Sequence, residues 1–374
     1  MTTYAITGGH GFLGWHLRCR LKAARPLAEV RVLGRGDLDD PDRLADAIDG
    51  CDAVFHLAAV NSHDAEAAAN VVLAEQLVDA LAKLQVPPHV VYSNSSHVER
   101  DSPYGRAKAD AAQALTAWAT RSGATFADVV LPNLFGEGGR PRYNSAVATF
   151  CEAVITGTPS EVNPDGAAEL LHAQAAAAVL VRHADARRTG GERVRGEDVA
   201  VTDIYDRLAR LYDDYRATHS VPPLWTMLDL RLFNQLRVAM FPAAYPVALV
   251  RHADARGQFF EAVRGSGPNQ TSFSATGPGM TRGEHWHFDK VERFLVLHGS
   301  ADIEIRRLFD DEVHTFRVSG ERPAFVDMPT LYAHNITNTG DAELLTMFWV
   351  NDPFDPASPD TYPELVRPRE AVPA

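Results

Sequence analysis

The sequence predicts an α/β doubly wound parallel sheet with a small helical lobe, followed by an all-β barrel. In the first half, short apolar runs alternate with amphipathic segments, a pattern typical of a parallel sheet with helices on both faces. Near residue 201 the pattern changes to long helices, and after residue 242 to short strands punctuated by glycine and proline. A length of 374 residues also favours two domains. We therefore predict one domain over residues 1–242 and a second over residues 243–374.

The individual elements follow from the hydrophobic pattern, because apolar or alternating runs indicate strands and period-3.6 patterns indicate helices. The alternating half contains predicted strands at 4–7, 30–33, 53–57, 89–92 and 127–131 and predicted helices at 14–24, 44–48, 65–84, 107–121 and 173–181. The lobe contains predicted helices at 204–215 and 224–238, and 301–305 is the clearest alternating strand of the barrel.

Bulk composition limits the possible partners and compartments. The net charge of −13 disfavours non-specific nucleic-acid binding, because phosphates would be repelled. Cys19, Cys51 and Cys151 show no disulfide or metal-ligand spacing, which is typical of a reducing compartment. No signal-peptide pattern opens the chain, and no apolar run is long enough to span a bilayer. We expect a cytoplasmic protein with no membrane insertion and no nucleic-acid partner.

A glycine-rich turn between the first strand and the first helix indicates nucleotide binding. Gly8, Gly11 and Gly14 form the pattern GxxGxxG, and Phe12 and Leu13 lie between the last two glycines. Without side chains the backbone can approach a pyrophosphate, and the helix N-terminus offers N–H groups to it. The triplet could also be an ordinary tight turn, but its place directly after a strand favours the nucleotide site.

The end of the second predicted strand bears on the choice of cofactor. NAD-binding domains usually carry an acidic residue there, which binds the ribose 2′-hydroxyl. This chain carries Gly34 and then Arg35, which leave room for a 2′-phosphate and offer a guanidinium to bind it. We therefore expect NADPH, while nearby Asp37 leaves NADH open.

The helix after the fourth strand carries a reductase-like pattern. Tyr104 and Lys108 stand one helical turn apart, and Ser93 and Ser95 lie at the end of the preceding strand. A lysine there can lower the pKa of the phenol and bind the nicotinamide ribose, while the tyrosine donates a proton to a carbonyl oxygen as hydride arrives. A serine hydroxyl can share that oxygen. The YxxxK pattern alone also occurs on ordinary surface helices.

Glycine turn, serine-bearing strand and YxxxK, in this order, resemble the extended short-chain dehydrogenase/reductases, which have a Rossmann-type fold. The resemblance covers residues 1–240 and implies catalytic roles for Tyr104, Lys108 and Ser95, with Ser93 as the second choice. Lys108 would also contact the cofactor.

Three further segments carry the same resemblance. HLAAVN at 56–61 is similar to the cofactor-lining third strand, which implies cofactor contacts for Leu57 and Ala58, and Asn70 is similar to the asparagine of the following long helix. LPNLFGEG at 131–138 resembles the loop between the cofactor and substrate halves. The chain departs from the family at 170–175, where a V-D-D-type segment is usual.

The second half contains a candidate metal site. His285 and His287 are alternate residues of a predicted strand and would point the same way, and Glu292 and His334 would come from neighbouring strands. An N₃O ligand set suits zinc, and also iron, nickel or manganese. Single histidines are usually satisfied core residues, but three histidines and a glutamate at these offsets favour a metal.

The spacing of these residues resembles the cupin superfamily, which implies a jelly-roll barrel. Its first motif, G-x5-H-x-H-x4-E-x6-G, runs from Gly279 to Gly299, and its second runs from Pro329 through His334 to Asn338. Leu331 stands where the second motif usually has glycine. Functions within this superfamily are diverse, so the resemblance alone assigns no reaction.

The order of a reductase and then a cupin resembles the bifunctional capsular-polysaccharide enzymes of the CapF/WbjC type over nearly the whole chain. Segments that add to it are SPYG at 102–105, YNSAVATFC at 143–151, VDMPTLYAHNITN at 326–338 and MFWVNDPFDPASPDTY at 347–362. The resemblance implies a UDP-linked 4-keto-6-deoxy-N-acetylhexosamine as substrate, for polysaccharide or glycoconjugate biosynthesis. The cupin would epimerise carbon 3 and the reductase would reduce the ketone at carbon 4 with NADPH. A homo-oligomer, most simply a dimer, is expected.

Several alternatives stay open. Lys290, Tyr332 and the ligand histidines are all candidates for moving the proton at carbon 3. Three histidines and a glutamate can saturate a tetrahedral zinc, so the cupin could instead be a metal-stabilised structural or dimerisation module. An iron cupin oxygenase fused to a reductase is a third possibility.

Overall fold

The structure is a computed structural model that describes residues 1–60, 66–255, 257–265 and 267–367. It contains two compact units. The first combines Met1–Ala146 with Val162–Asp203, and the second combines Val147–Glu161 with Ile204–Ala374. The domain boundary after residue 242 stays a prediction.

Both units combine strands and helices. The strands of the described residues are β1 (Thr3–Thr7), β2 (Glu29–Leu33), β3 (Ala53–His56), β4 (His89–Ser95), β5 (Phe126–Leu131), β6 (Asn133–Phe135), β7 (Ala167–His172), β8 (Gly190–Arg193), β9 (Glu197–Ala200), β10 (Val247–Ala248), β11 (His252–Asp254), β12 (Gly257–Phe259), β13 (Gln270–Thr276), β14 (Thr281–Trp286), β15 (Glu292–His298), β16 (Ser300–Arg307), β17 (Val313–Ser319), β18 (Ala324–Met328), β19 (Tyr332–Asn338), β20 (Leu344–Val350) and β21 (Tyr362–Pro363). The α-helices are α1 (Phe12–Ala24), α2 (Arg35–Leu38), α3 (Pro41–Ile48), α4 (Ala69–Leu81), α5 (Pro103–Ser122), α6 (Ala146–Thr156), α7 (Ala173–Ala186), α8 (Val201–Thr218) and α9 (Met227–Met240), and Ser96–Glu99 forms a 3-10 turn.

The first unit is built on a six-stranded parallel sheet in the order β2-β1-β3-β4-β5-β8. Every residue of β1 and β3 is buried, as expected for strands covered on both faces. From β1 the chain adds β2 on one side and β3 on the other. In such sheets, ligands bind at the carboxyl ends of the strands where the order reverses, which here is the gap between β1 and β3.

Helix α5 carries two of the predicted catalytic residues, and its ends are well specified. Pro103 occupies the first turn, and the Ser102 side chain accepts a hydrogen bond of 3.0 Å from Gly105 N. Gly123 ends the helix in the left-handed conformation. The helix packs Ala111, Leu115 and further small apolar residues into the core on one face.

The predicted fold class is confirmed in both halves. The alternating half forms the expected parallel sheet, with bounds that differ from the predictions by a few residues at most elements. The predicted strand at 89–92 is longer and reaches Ser95. The helix predicted over 65–84 is observed as α4, Ala69–Leu81, and residue 65 lies outside the described residues.

The second unit contains two five-stranded antiparallel sheets, as expected for a cupin barrel. Their strand orders are β10-β18-β15-β20-β13 and β17-β16-β19-β14-β21, and β11 pairs separately with β12. Large apolar side chains such as Trp286, Phe294 and Phe325 are almost fully buried. Burial of this size stabilises the barrel and fixes the strands that carry the predicted metal ligands.

The helices of the predicted lobe pack within this second unit. The Tyr215 hydroxyl on α8 donates to Asp327 Oδ2 on β18 at 2.7 Å, and it lies 2.8 Å from the Tyr245 hydroxyl. From α9, Arg237 donates to the carbonyl of Met328 at 2.8 Å. These bonds are buried, so they join the helices firmly to the barrel.

Over the residues that the structure describes, no helix combines the length and apolar character that crossing a membrane requires.

Candidate active sites

The glycine turn of the first unit has the geometry of a phosphate-binding loop. Gly8 has a φ of +71°, and a Cβ there would lie 2.8 Å from the amide nitrogen of Ala58. A Cβ on Gly14 would lie 2.3 Å from the carbonyl oxygen of Gly8. Only glycine fits both positions. Gly11 precedes α1 without a side-chain cap, so the first N–H groups of the helix can bind an anion.

A cavity of about 570 Å³ opens at this turn and at the carboxyl ends of the central strands. Its wall includes most of the predicted cofactor and catalytic residues, namely Gly8, Gly11, Phe12, Leu13, Gly14, Leu57, Ser95, Tyr104 and Lys108. Two predicted cofactor residues, Arg35 and Ala58, are not part of this wall, although both lie in the described chain. The fold therefore brings residues that are up to a hundred positions apart in sequence into one cavity.

The two residues that bear on cofactor choice follow β2 and differ in their contacts. Arg35 begins α2 with an exposed side chain. The Asp37 carboxylate accepts a hydrogen bond of 2.8 Å from Gly34 N and pairs with Arg43 at 2.7 Å. Asp37 is thus engaged in capping α2, while Arg35 extends toward solvent.

Asn70 shapes the loop after β3. Its side chain donates to the carbonyl oxygens of Val60 and Ala67 at 3.0 and 3.1 Å, and it accepts from Val60 N at 3.0 Å. Asn70 therefore holds this loop in place through three hydrogen bonds. The last residue of the HLAAVN segment, Asn61, lies outside the described residues.

The catalytic pattern is assembled at the end of β4 and the start of α5. Tyr104 shares a hydrogen bond with the Ser95 side chain, and the ring of His97 lies edge-on to the tyrosine at 5.5 Å. The Ser93 hydroxyl instead donates to the carbonyl of His56 at 3.4 Å. The geometry therefore favours Ser95 over Ser93 as the serine that acts with the tyrosine.

Lys108 is buried beneath this cluster. Its ammonium donates to the carbonyl of Ser93 at 2.8 Å and lies 4.2 Å from the ring centre of Tyr92. Burial lowers the pKa of Lys108 to about 7, and the negative charge of Asp128 opposes that shift. Burial also raises the pKa of Tyr104, and the Ser95 hydrogen bond opposes this rise. The lowered tyrosine pKa expected from a neighbouring lysine is therefore not seen.

Asp128 was missed by the sequence reasoning. It lies on β5 directly beside Tyr92 of β4, and its Oδ2 accepts a hydrogen bond of 3.2 Å from Asn94. Its burial raises the pKa of the carboxyl group. A single acid inside the apolar strand FADVVL was the available signal, because buried strands rarely carry an unneeded charge.

The segment at 170–175, which departs from the reductase pattern, takes part in a buried polar cluster. His172 Nε2 lies 3.1 Å from Oε2 of Glu137, and both side chains are almost fully buried. The carbonyl of Glu137 is also 2.8 Å from Nε2 of His16 on α1. Burial opposes ionisation of Glu137, but the His172 and His16 imidazoles lower its pKa to about 2. This group ties the loop after β6 to the helix of the glycine turn.

In the second unit, the four predicted ligands converge, with their ligand atoms within 4.8 Å of one another. Oε2 of Glu292 lies 3.0 Å from Nε2 of His287, 3.0 Å from Nε2 of His334 and 3.8 Å from Nε2 of His285. His285 and His334 are directly opposed on β14 and β19. Glu292 opens β15, which belongs to the other five-stranded sheet, so the cluster bridges the two sheets.

A β-bulge between Gly283 and His285 aims the histidines inward. The bulged residue, Glu284, has a φ of +57°, and its carboxylate accepts hydrogen bonds from Asn335 and from Val366 N. Local twist at a bulge redirects the following side chains, which explains how a residue just past the end of β14 reaches the cluster.

The donor chemistry of this cluster fits a divalent cation. His334 Nδ1 lies 3.2 Å from the carbonyl of Tyr332, and His287 Nδ1 lies 2.5 Å from the carbonyl of Asp360. A carbonyl accepts only, so each Nδ1 carries the hydrogen, and each Nε2 of a neutral ring then presents a lone pair to a cation at the centre of the cluster. Ligand atoms around a tetrahedral zinc are roughly 3.3 Å apart, close to the separations seen here.

The electrostatics agree with this geometry. Burial lowers the pKa of His334 to about 4, which keeps its imidazole neutral at physiological pH. Burial opposes ionisation of Glu292, but the neighbouring imidazoles, His287 foremost, hold the pKa of its carboxyl group well below the usual range. An anionic carboxylate among neutral imidazoles is the state that binds a metal ion.

The other residues that the sequence singled out in the barrel also have defined contacts. Leu331 is fully buried with a φ of +66°, the conformation that glycine would adopt there, and its N–H donates to the His287 carbonyl at 2.9 Å. The Lys290 ammonium donates to the carbonyl of Pro359 at 2.7 Å. Tyr332 is buried and packs against Phe241. Of the candidate proton carriers, the three ligand histidines lie at the metal cluster itself, and His285 is the most exposed of them.

Comparison with known proteins assigns the first unit to a family. Residues 4–196, just over half of the chain, match the NAD dependent epimerase/dehydratase family, and the chain belongs to it. Residues 252–362 match the polysaccharide biosynthesis C-terminal domain. The glycine turn and the cavity at the switch point of the sheet are the features this family uses to bind a nicotinamide dinucleotide.

Full-length relatives confirm the predicted resemblance to two-domain capsular enzymes. The chain is 29% identical to UDP-2-acetamido-2,6-beta-L-arabino-hexul-4-ose reductase of Pseudomonas aeruginosa, over 96% of this chain and 97% of that protein. It is also similar to the crystal structure of the capsular polysaccharide assembling protein CapF from Staphylococcus aureus, with a TM-score of 0.61, 29% identity and coverage of 97% and 100%.

A third similarity concerns the fold alone. The UDP-N-acetylglucosamine 4-epimerase of Methanobrevibacter ruminantium matches 57% of this chain and 82% of its own, with 20% identity and a TM-score of 0.50.

Proposed function

We propose that this protein is a bifunctional nucleotide-sugar enzyme that epimerises carbon 3 and reduces the carbon 4 ketone of a UDP-linked 4-keto-6-deoxy-N-acetylhexosamine. The observation that carries the proposal is the presence of two separate catalytic clusters in one chain. The first is Ser95, Tyr104 and Lys108 at the cavity of the first unit, and the second is the His₃Glu cluster of the barrel. A relative named as a UDP-hexulose reductase matches both halves and supports this substrate class.

The reductase step follows from the residues of the cavity. NADPH would supply the hydride for carbon 4. Tyr104 donates its phenolic proton to the oxygen of the ketone, and Ser95 binds that oxygen through a hydrogen bond. Lys108, buried one turn along the helix, would bind the nicotinamide ribose. The ketone becomes an alcohol, and the proton of Tyr104 is replaced from solvent.

We propose NADPH because of the residues that follow β2. Arg35 is exposed and able to bind a 2′-phosphate, whereas the Asp37 carboxylate already binds Gly34 N and Arg43. A carboxylate that already makes these two contacts has less capacity to accept a hydrogen bond from a ribose 2′-hydroxyl. NADH use would require Asp37 to give up at least one of these bonds.

The epimerase step belongs to the barrel. His285, His287, Glu292 and His334 would hold one divalent metal, for which we propose zinc, and a bound metal would polarise the sugar carbonyl and stabilise the enolate. The side chain of His285 is 22% exposed, so the cluster is open to a ligand on that side. This opening supports a catalytic rather than a purely structural metal, because structural sites are usually closed.

Deuterium uptake tests the two-site proposal. A 4-keto UDP-sugar is incubated in heavy water without NADPH, and deuterium at carbon 3 is measured by mass spectrometry. Uptake is expected in the parent protein, lost in His285→Ala and kept in Tyr104→Phe. With NADPH, Tyr104→Phe is expected to lose reduction. No uptake in the parent would leave the cupin as a structural or dimerisation module, and oxygen consumption by an iron-loaded protein would instead indicate an oxygenase.

The remaining predictions become part of the same proposal. We propose domains at residues 1–242 and 243–374, a cytoplasmic location beside the soluble nucleotide sugars, and a homodimer. Sedimentation of the full chain measures the oligomeric state directly, and a monomer at micromolar concentration would contradict the dimer.

A further inference from the structure

Asp360, in the segment near the end of the described chain, contacts the ligand His287 and the backbone that follows it. Its carboxylate accepts hydrogen bonds from three successive backbone amides: Phe288 N at 2.8 Å, Asp289 N at 2.9 Å and Lys290 N at 3.0 Å. These amides directly follow the ligand His287. The backbone carbonyl of Asp360 meanwhile lies 2.5 Å from His287 Nδ1. Asp360 therefore holds His287 by its ring and also holds the backbone that follows it.

Contacts on both sides keep this segment in place. Before Asp360, the carbonyl of Pro359 accepts the Lys290 ammonium at 2.7 Å. After it, Tyr362 stacks on Trp286, with ring centres 4.7 Å apart. Further along, Arg306 donates to the carbonyl oxygens of Leu365 and Val366 at 2.8 and 2.6 Å. The segment is fixed on the barrel at several points, so its contact with His287 is part of the folded structure.

The contact determines which nitrogen of His287 faces the cluster. A backbone carbonyl accepts only, so Nδ1 must carry a hydrogen, and the lone pair of the neutral ring is then on Nε2. Nε2 is the atom that lies 3.0 Å from Glu292. If the Asp360 carbonyl moved, the ring could rotate or take the other tautomer, and the cluster would lose one well-oriented donor.

We propose that Asp360 is a positioning residue of the metal site, which acts through His287 to set the metal affinity of the barrel. The inference rests on the metal site of the proposed function. Asp360 has a φ of +40°, a strained backbone conformation for a residue with a side chain, and its three amide bonds hold it there. Asparagine would offer one acceptor oxygen and turn an NH₂ group toward amides that can only donate. Alanine would leave all three amides without this partner.

The test measures metal binding by the full chain, not its catalytic activity. The protein is stripped with a chelator, and Zn²⁺ affinity is measured by competition with a chromophoric chelator for the parent, Asp360→Asn and Asp360→Ala. Loss of an outer-shell partner typically weakens metal binding by about 10–100-fold, and we expect losses in this range. Co²⁺ absorption spectra of the same proteins are expected to shift, because the ligand geometry changes.

Asp355→Asn is the matched control, because Asp355 is an exposed acid of the same segment whose side chain accepts a hydrogen bond from Ala357 N. The control is expected to bind Zn²⁺ like the parent. Asp360 variants within twofold of the parent, or an equal loss in the control, would overturn the proposal. Fluorescence and calorimetry of the stripped proteins show whether each variant is folded.

A second measurement needs no substitution. Nitrogen-15 NMR of histidine-labelled, Zn²⁺-loaded protein reports the tautomer of His287, and the proposal requires a hydrogen on Nδ1 and the metal on Nε2. Metal on Nδ1 would overturn it even if no Asp360 variant folds. The outcome is separable from the proposed function. A parent that binds Zn²⁺ but takes up no deuterium from heavy water would refute the epimerase and leave the role of Asp360 intact.

Discussion

The buried ion pair between Arg293 and Asp327 gives the sharpest stability prediction. Arg293 donates to both carboxylate oxygens of Asp327, at 2.7 and 2.9 Å, and the two side chains are 1% and 0% exposed. The Tyr215 hydroxyl from α8 donates to the same carboxylate at 2.7 Å. Asp327→Asn keeps the size of the side chain but leaves the guanidinium without its counter-charge inside the barrel.

Breaking a buried pair in this way costs about 3–5 kcal/mol, because one ion stays buried and uncompensated. For a unit of this size, each kcal/mol lowers the melting temperature by about 2–4 °C. We therefore expect the melting transition of the second unit to fall by about 6–20 °C in Asp327→Asn. Scanning calorimetry, with a chelator in both samples to remove any contribution from bound metal, measures the shift.

The control is an ion pair at the surface of the same unit. Asp302 lies 3.9 Å from Arg317, whose side chain is 89% exposed, and pairs of this kind contribute about 0–1 kcal/mol. Asp302→Asn is expected to change the melting temperature by only a few degrees at most. A shift under 2 °C in Asp327→Asn, or equal shifts in the two variants, would refute the reasoning about this buried pair.

Three further predictions concern cofactor, pH and the barrel turn. In steady-state assays, Arg35→Ala is expected to raise the KM for NADPH by about 10–100-fold, because one charged hydrogen bond is lost, and to change the KM for NADH little. Equal effects on both cofactors would contradict this prediction. The kcat/KM for NADPH is expected to fall as pH rises through about 7, the pKa at which Lys108 loses its proton. Asp128→Asn removes the negative charge that raises the pKa of Lys108, so the fall should move to lower pH in this variant. A fall that stays in place or moves to higher pH would contradict the prediction. Leu331→Gly relieves a left-handed backbone that costs about 1–2 kcal/mol, but it removes a fully buried side chain that contributes about 2–5 kcal/mol. Urea unfolding should therefore show a net loss of stability. A gain in the free energy of unfolding would refute the account.

Sequence reasoning succeeded where function depends on short spacings. Tyr104 and Lys108 share one turn of α5, and His285 and His287 are two residues apart, so their proximity needs only a helix or an extended segment. His334 required the pairing of β14 with β19, which the second cupin-like motif anticipated. Residues that are close in sequence or lie in a recurring motif are therefore predictable.

The parts that could not be predicted depend on packing between distant segments. Asp360 lies about seventy residues after the amides it binds, in a stretch without any helix or strand periodicity. Glu292 was expected on a neighbouring strand but comes from the facing sheet, because strand order in an antiparallel barrel does not follow chain order. The packing of α8 and α9 with the barrel unit rests on Tyr215 and Arg237, single polar residues inside otherwise ordinary amphipathic helices.

The central claim is that one chain carries two separate catalytic sites acting on the same sugar. Deuterium incorporation at carbon 3 of a 4-keto UDP-N-acetylhexosamine, in heavy water and without NADPH, tests it most directly. The account predicts incorporation by the parent and by Tyr104→Phe, and none by His285→Ala. Incorporation that survives His285→Ala, or is absent from the parent, would contradict it.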